Sequence, residues 1–297
     1  MTILALAADD LEARISTRGG TVLGLWWSQG SERIPLLRAT ADDTATALQS
    51  GCYPLVPFGN RVKGNAFRFE GRDYGLAPNT DWDPHYVHGE GWQADWQVVD
   101  AASASVTLRF SHRSDRTPYV YEAEQRFRID EGTVHLGLSV TNRGAVALPF
   151  GLGWHPYFPM TEGTTLCAPA RRFWTETDDW LPGHATQIPE ELDFSRPRPL
   201  PQRWVNNGFE GWSGRARITW PERNTQLTIQ ADQLFRHAFI FVSDRSFDPN
   251  FQRDYFCFEP MSHLADGHHQ ERLGDLRVLN PEETLAGEFS LQPERIG

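Results

Sequence analysis

The feature that most restricts this chain is a two-residue rhythm of apolar and polar side chains, repeated along much of its length. Between Val134 and Thr141, Val134, Leu136, Leu138 and Val140 fall on one side, and His135, Gly137, Ser139 and Thr141 on the other. A β-strand points successive side chains to opposite faces, so this pattern predicts a strand with one face buried. Val106 to His112, Tyr119 to Ile129, Ala216 to Trp220, Gln226 to Gln230, Ala238 to Ser243 and Tyr255 to Glu259 read the same way. Turn-forming residues punctuate them at Asp130-Glu131-Gly132, Asn142-Arg143-Gly144 and Pro221 to Asn224. Segments with a 3.6-residue period are nearly absent. Ala41 to Leu48 and Gln270 to Leu276 are expected to hold only short helical turns. Many strands, regular turns and few helices predict an all-β fold, a large antiparallel sandwich or a barrel. The Pro-rich stretch Ile188 to Gln202 is read as a surface loop rather than a linker, so residues 1–297 are expected to form one domain.

Charge narrows the function. A net charge of −11 opposes binding to phosphate backbones and anionic membrane surfaces, so neither nucleic acid nor membrane is expected as a partner. The three cysteines, Cys52, Cys167 and Cys257, are too few and too scattered for a disulfide framework or a zinc knuckle. The apolar start, Met1 to Ala7, lacks a basic leader and runs straight into Asp9, Asp10 and Glu12, so it is not read as a signal peptide. A reducing cytoplasm is the expected compartment. Eleven tryptophans are many for this length. Most are expected to pack in the core, and a few are candidates to line a sugar site, because the CH faces of a pyranose pack on aromatic rings.

Four segments carry candidate chemistry. Tyr53 to Arg61 contains two prolines and a glycine and ends in Asn60 and Arg61, which together offer rigid donors and an acceptor. Such a pair suits a polyhydroxylated ligand, or it closes its own loop through backbone carbonyls. In His85 to Trp92, His88 stands before Gly89, and two histidines three apart raise a metal site. No third ligand is evident, and a loop histidine bonded to backbone is the alternative. In Gly151 to Phe158, His155 sits between Trp154 and Pro156, either as a proton donor that titrates near neutrality or as a satisfied core histidine. In Tyr255 to Met261, a strand would place Glu259 on the same face as Tyr255 and Cys257. A carboxylate in so apolar a strand is either ion-paired or a general base with a raised pKa. The polar cluster His263, Asp266, His268 and His269 looks like a metal site at first sight, but its polarity and Gly267 favour a solvated loop. No metal is expected.

Taken together, these segments resemble the aldose 1-epimerase, or galactose mutarotase-like, family. The resemblance rests on YPLVPFGNRVKGNAFRFEGRDYGLAPN, HYVHGEGW, VTNRGAVALPFGLGWHPYFP, NNGFEGW and FCFEPMSH, in the family's order from about Tyr53 to His263. It implies a β-supersandwich with a shallow sugar groove, working without a cofactor on a small-molecule sugar, as a monomer or a homodimer. It further implies Glu259 as general base and His155 as general acid, with His88 assisting at the ring oxygen or holding a hydroxyl. Asn60 and Arg61 would bind hydroxyls, and Tyr157 would border the site. Where the family usually carries Asp, this chain has Asn206, which keeps hydrogen bonds and loses the charge, so the sugar itself stays open. The turn matching the family's PGE is also altered, to Pro281-Glu282-Glu283.

The chemistry agrees with this resemblance. Exchange of anomers needs one proton removed from the anomeric hydroxyl and one delivered to the ring oxygen, with no hydride, phosphoryl or metal step. Two other readings stand beside a free aldose as substrate. One is an epimerase of an anionic sugar, a hexose 6-phosphate or a sulfosugar, with Arg171, Arg172, Arg215 and Arg217 as candidate cations. The other is a carbohydrate-binding protein without catalysis. Hydrolysis of a glycoside is a weaker option, since it usually needs two carboxylates.

Overall fold

The computed structural model describes residues 1–297 as an all-β sandwich. The alternating stretches form its strands. Thr133–Asn142 lies between Val120–Asp130 and Thr284–Arg295, antiparallel to both. Its register sets Leu136 beside Phe127 on one neighbour and Phe289 on the other, so three inward side chains form a row across the sheet. Glu131 and Gly132, both with positive φ, close the hairpin between the paired residues Asp130 and Thr133. That is the geometry of a two-residue turn, whose twist matches the strands it joins.

These strands belong to a nine-stranded sheet, and an eight-stranded sheet supplies the second layer. The second sheet runs through Arg172–Glu176, Val205–Glu210, His237–Val242 and Tyr255–Met261 to Gly153–Trp154 and Pro54–Leu55. The first residues, Ile3 to Leu37, make a separate four-stranded sheet. One contiguous cluster of 57 buried apolar residues joins all three, from Leu6 to Leu291. No helix is long and apolar enough to cross a membrane. Every helical segment is a short 3₁₀ turn, including Ala47–Gln49, Gly267–His269 and Glu271–Asp275, near where helical turns are expected.

Two expectations need correction. The stretch from Ile188 to Gln202 is more than a surface loop. Leu192, Phe194 and Leu200 are buried in the main core, and Arg198–Pro199 pairs with Thr165–Cys167. Its apolar side chains are too costly to leave in water, so they tie the segment to the sheet. The cluster from His263 to His269 is not solvated either, since His263, Asp266 and His268 are all buried. His263 accepts from the Gly59 N–H through Nε2 (2.9 Å) and meets the Leu264 carbonyl through Nδ1 (2.8 Å). His268 Nε2 pairs with the Tyr119 hydroxyl at 2.8 Å, and Asp266 accepts from the Lys63 N–H at 3.0 Å. Loop backbone that is taken inside needs partners there, and these side chains provide them.

Candidate active site

The strand Tyr255–Met261 has two different faces. Phe256 and Phe258 point into the main core, whereas Cys257 and Met261 join a smaller apolar cluster with Tyr53, Trp92 and Tyr157 on the opposite side. Glu259 lies on this second face and is 1% exposed. His155 follows the short strand Gly153–Trp154, in which Trp154 is buried in the main core. The His155 N–H donates to the Tyr53 carbonyl (2.9 Å), and its imidazole stacks on Tyr53 at 4.5 Å between ring centres, with Tyr157 packed beside it, tilted, at 4.8 Å. This packing brings His155 Nε2 to 3.2 Å from Glu259 Oε1.

Burial sets the charge of this pair. It pushes Glu259 well above the usual carboxylate range. It pushes His155 down to about 3, with the Arg38 guanidinium adding to the effect. Although the contact has the geometry of an ion pair, burial favours a protonated carboxyl beside a neutral imidazole. This corrects the expectation that His155 titrates near neutrality. Glu259 Oε2 and His155 Nδ1 are buried without a hydrogen-bond partner in the protein. Each such atom costs about 1–3 kcal/mol when left unsatisfied, and both belong to residues that line the same cavity.

The loop segments complete the wall. Asn60 and His88 both have positive φ and are locked together. The His88 N–H donates to the Asn60 carbonyl (2.9 Å), and the Asn60 N–H donates to His88 Nδ1 (3.0 Å). Burial, with the nearby His155 and Arg61, holds His88 well below its ordinary pKa, so the ring is neutral. With Nδ1 accepting, its one proton sits on Nε2, which makes His88 a directed donor. Gly89 is required here by its own positive φ and by space, since an added Cβ would lie 2.3 Å from the Val56 carbonyl oxygen. Arg61 donates through Nε to Asp83 (2.9 Å) and lays its guanidinium 5.3 Å from the centre of the Trp180 ring. Asn206, on Val205–Glu210, donates its amide to Glu176, whose other oxygen accepts from Trp204 Nε1 at 2.8 Å.

Asn60, Arg61, His88, His155, Tyr157, Asn206 and Glu259 all line one cavity of about 610 Å³. Sequence reasoning missed Tyr53, Trp82, Trp180, Phe247 and Asp248, which line it too. Tyr53 stood inside a segment already singled out, and its place before Pro54 was the available signal. The others come from irregular loops that no periodicity marks. The four arginines considered for an anionic group are elsewhere. Arg171 and Arg172 line a separate cleft with Arg236 and His237, and Arg215 and Arg217 are on Arg215–Trp220 in the nine-stranded sheet. His155, Cys257 and Glu259 bring a nitrogen, a sulfur and an oxygen within 4.8 Å of one another. Cys257 is fully buried and does not line the cavity, so of the three groups only His155 and Glu259 face the open space.

Comparison with known proteins agrees with this fold. The profile of a family described as aldose 1-epimerase matches residues 2–292. The uncharacterized protein YphB of Escherichia coli K12 is 45% identical over 295 residues, covering 99% of both chains. A crystal structure from Escherichia coli K12, described provisionally as an aldose 1-epimerase, superposes with a TM-score of 0.94 at 44% identity over 99% of both chains. A galactose mutarotase-like protein from Clostridium acetobutylicum has the same fold, with a TM-score of 0.84 at 18% identity over 99% of this chain and 95% of its own.

Proposed function

The chain belongs to the aldose 1-epimerase family, and from that premise we propose that it interconverts the α and β anomers of a free aldose by acid–base ring opening and closure. The observation that carries this reading is the contact between His155 and Glu259 on the cavity floor. The anomeric hydroxyl and the ring oxygen are bonded to the same carbon. A base and an acid that must serve both therefore have to be neighbours, as these two are.

The pair carries a single proton. Shifting it across the 3.2 Å contact turns the resting carboxyl and neutral imidazole into a carboxylate and an imidazolium. Sugar hydroxyls donating to Glu259 favour that charged form. Glu259 then takes the proton of the anomeric hydroxyl while His155 gives one to the ring oxygen, and the bond between that oxygen and the anomeric carbon breaks. The open aldehyde turns about its first carbon–carbon bond. Closure onto the other face reverses both transfers and returns the pair to its starting state. Each positioned group contributes about 10²–10⁴ in rate. His88 Nε2–H and the Asn60 amide hold hydroxyls, and Arg61, oriented by Asp83, contributes its remaining donors.

A neutral aldose suits this cavity better than an anionic one. Its only arginine already faces Asp83, and Asp248 adds a negative charge to the lining. Anomer exchange measured by NMR on glucose, galactose and related aldoses, with sugar 6-phosphates alongside, tests the reading. Faster exchange of a neutral aldose, lost in Glu259→Gln, is expected. If no sugar in the panel equilibrates faster than in buffer, the activity is something else.

A further inference from the structure

The motif NNGFEGW spans Asn206 to Trp212, and only its first residue lines the cavity of His155 and Glu259. Glu210, Gly211 and Trp212 line a second cleft, of about 660 Å³, at the other end of the same strand. The strand register builds its wall: Arg172 lies opposite Glu210, and Glu210 opposite His237. Both carboxylates of this wall are engaged by the protein. Glu210 contacts Arg172 and accepts from Trp174 Nε1 (3.1 Å), and Asp275 meets His237 Nε2 at 3.0 Å. The other two arginines of the lining are left over. Arg171 lays its stem across Gly211, where an added Cβ would lie 3.0 Å from three of its carbons, and its guanidinium has no partner in the chain. Arg236 uses only the Nε of its guanidinium, which donates to the Gln233 carbonyl at 3.3 Å.

Three arginines against two carboxylates make the cleft locally positive on a chain of net charge −11, and such a spot draws small anions. A guanidinium offers a fixed fork of donors that matches a phosphate or a carboxylate. His237, 3% exposed, adds an Nδ1 without a partner to the same wall. A neighbouring cleft of about 530 Å³ shares Arg172, Glu210 and Asp275, so a ligand longer than a bare anion has room. Glu210 and Asp275 keep lone pairs that can accept from its hydroxyls. Trp212 is 4% exposed, too covered to stack on a base, which disfavours a nucleotide.

We propose that this cleft is a second binding site, distinct from the cavity of His155 and Glu259, for a small polyhydroxylated anion whose phosphate or carboxylate is held by Arg171 and Arg236. Its hydroxyls meet Glu210 and Asp275. Neither arginine lines the cavity of the acid–base pair, so the site stands or falls independently of the proposed reaction.

Isothermal titration of the full chain with sorbitol, gluconate and sorbitol 6-phosphate tests it. These acyclic probes have no anomeric centre, so they are not substrates of the proposed reaction, and the two anions separate a carboxylate from a phosphate. At least one anion is expected to bind saturably, with sorbitol about tenfold weaker or more. Arg171→Ala and Arg236→Ala are each expected to weaken that anion about tenfold or more, the effect of losing a hydrogen bond to a charged group. Arg217→Ala makes the same change in net charge outside the cleft, in the nine-stranded sheet, and should leave the affinity unchanged. All three side chains are exposed, and thermal unfolding checks that the variants are folded. The site is overturned if neither anion binds more tightly than sorbitol, if neither cleft substitution weakens binding, or if Arg217→Ala weakens it as much.

Discussion

The side-chain amide of Asn206 donates a hydrogen bond to Glu176, so the carboxylate near this wall of the cavity belongs to Glu176 on the neighbouring strand. An aspartate at 206 would set two carboxylates against each other, and the asparagine removes that repulsion. Asn206→Asp is therefore expected to destabilise the protein by about 1–3 kcal/mol, the usual cost of an unsatisfied buried polar contact. Adding Glu176→Gln restores a donor opposite the new acceptor and should recover most of the loss. Denaturant unfolding of the four members of this double-mutant cycle gives the coupling directly. If Asn206→Asp alone is as stable as the parent, the contact does not matter.

Glu259→Gln keeps the shape of the side chain and removes its titratable proton. The variant should remain folded, because a neutral amide replaces a group that burial already holds in its neutral form. Anomer exchange should fall by about 10²–10⁴. Retained activity in a variant whose circular dichroism is unchanged would remove Glu259 from the mechanism.

The pH–rate profile should be unusually wide. The proposed reaction needs one proton on the pair. It is lost on the acid side when His155 takes a second, at about 3 rather than at the ordinary histidine value. It is lost on the alkaline side when Glu259 gives up the first, displaced well upward by burial. Exchange rates should stay nearly flat from roughly pH 5 to 7, a range in which an ordinary imidazole would titrate. A half-maximal point near pH 6.5 on the acid side would mean that His155 is not held neutral.

Folding stability should fall on acidification. Burial depresses His88, His155, His237, His263 and His268, with His155 at about 3 and His263 at about 4. A depressed histidine adds stability above its unfolded value, and that contribution is lost as pH drops toward the folded value. Between roughly pH 6.5 and 4 the unfolded chain binds more protons, and each such histidine removes up to about 1.4 kcal/mol per pH unit. Glu259 and His269 work the other way. Their raised values add stability at low pH that is lost as pH rises, but they are two groups against five. Melting temperatures between pH 7 and 4.5 measure the balance, and no decline across that range would contradict it.

Much of the sandwich could be read from the chain because a strand's period of two is written locally. Val134, Leu136 and their neighbours declare a buried face without reference to anything distant. The segments around Asn60, His88, His155 and Glu259 were also legible, since each combines backbone-restricting residues with a reactive side chain. What stayed hidden depends on distant partners. Nothing near Asn206 announces Glu176, thirty residues earlier. His263 and Asp266 looked solvated because polarity is local, whereas the need of the Gly59 and Lys63 N–H groups for buried acceptors is not. The protonation of His155 was likewise out of reach, since it follows from burial and from the distant Arg38 guanidinium.

The strand Tyr255–Met261 separates duties that most segments must combine. Phe256 and Phe258 anchor it behind, and Glu259 lines the cavity in front. Substitutions on its front can change reactivity while the anchoring side keeps its packing, and damage behind would reach the reaction only by displacing the backbone. A lineage of such proteins can therefore change what the cavity holds without rebuilding the framework behind Glu259.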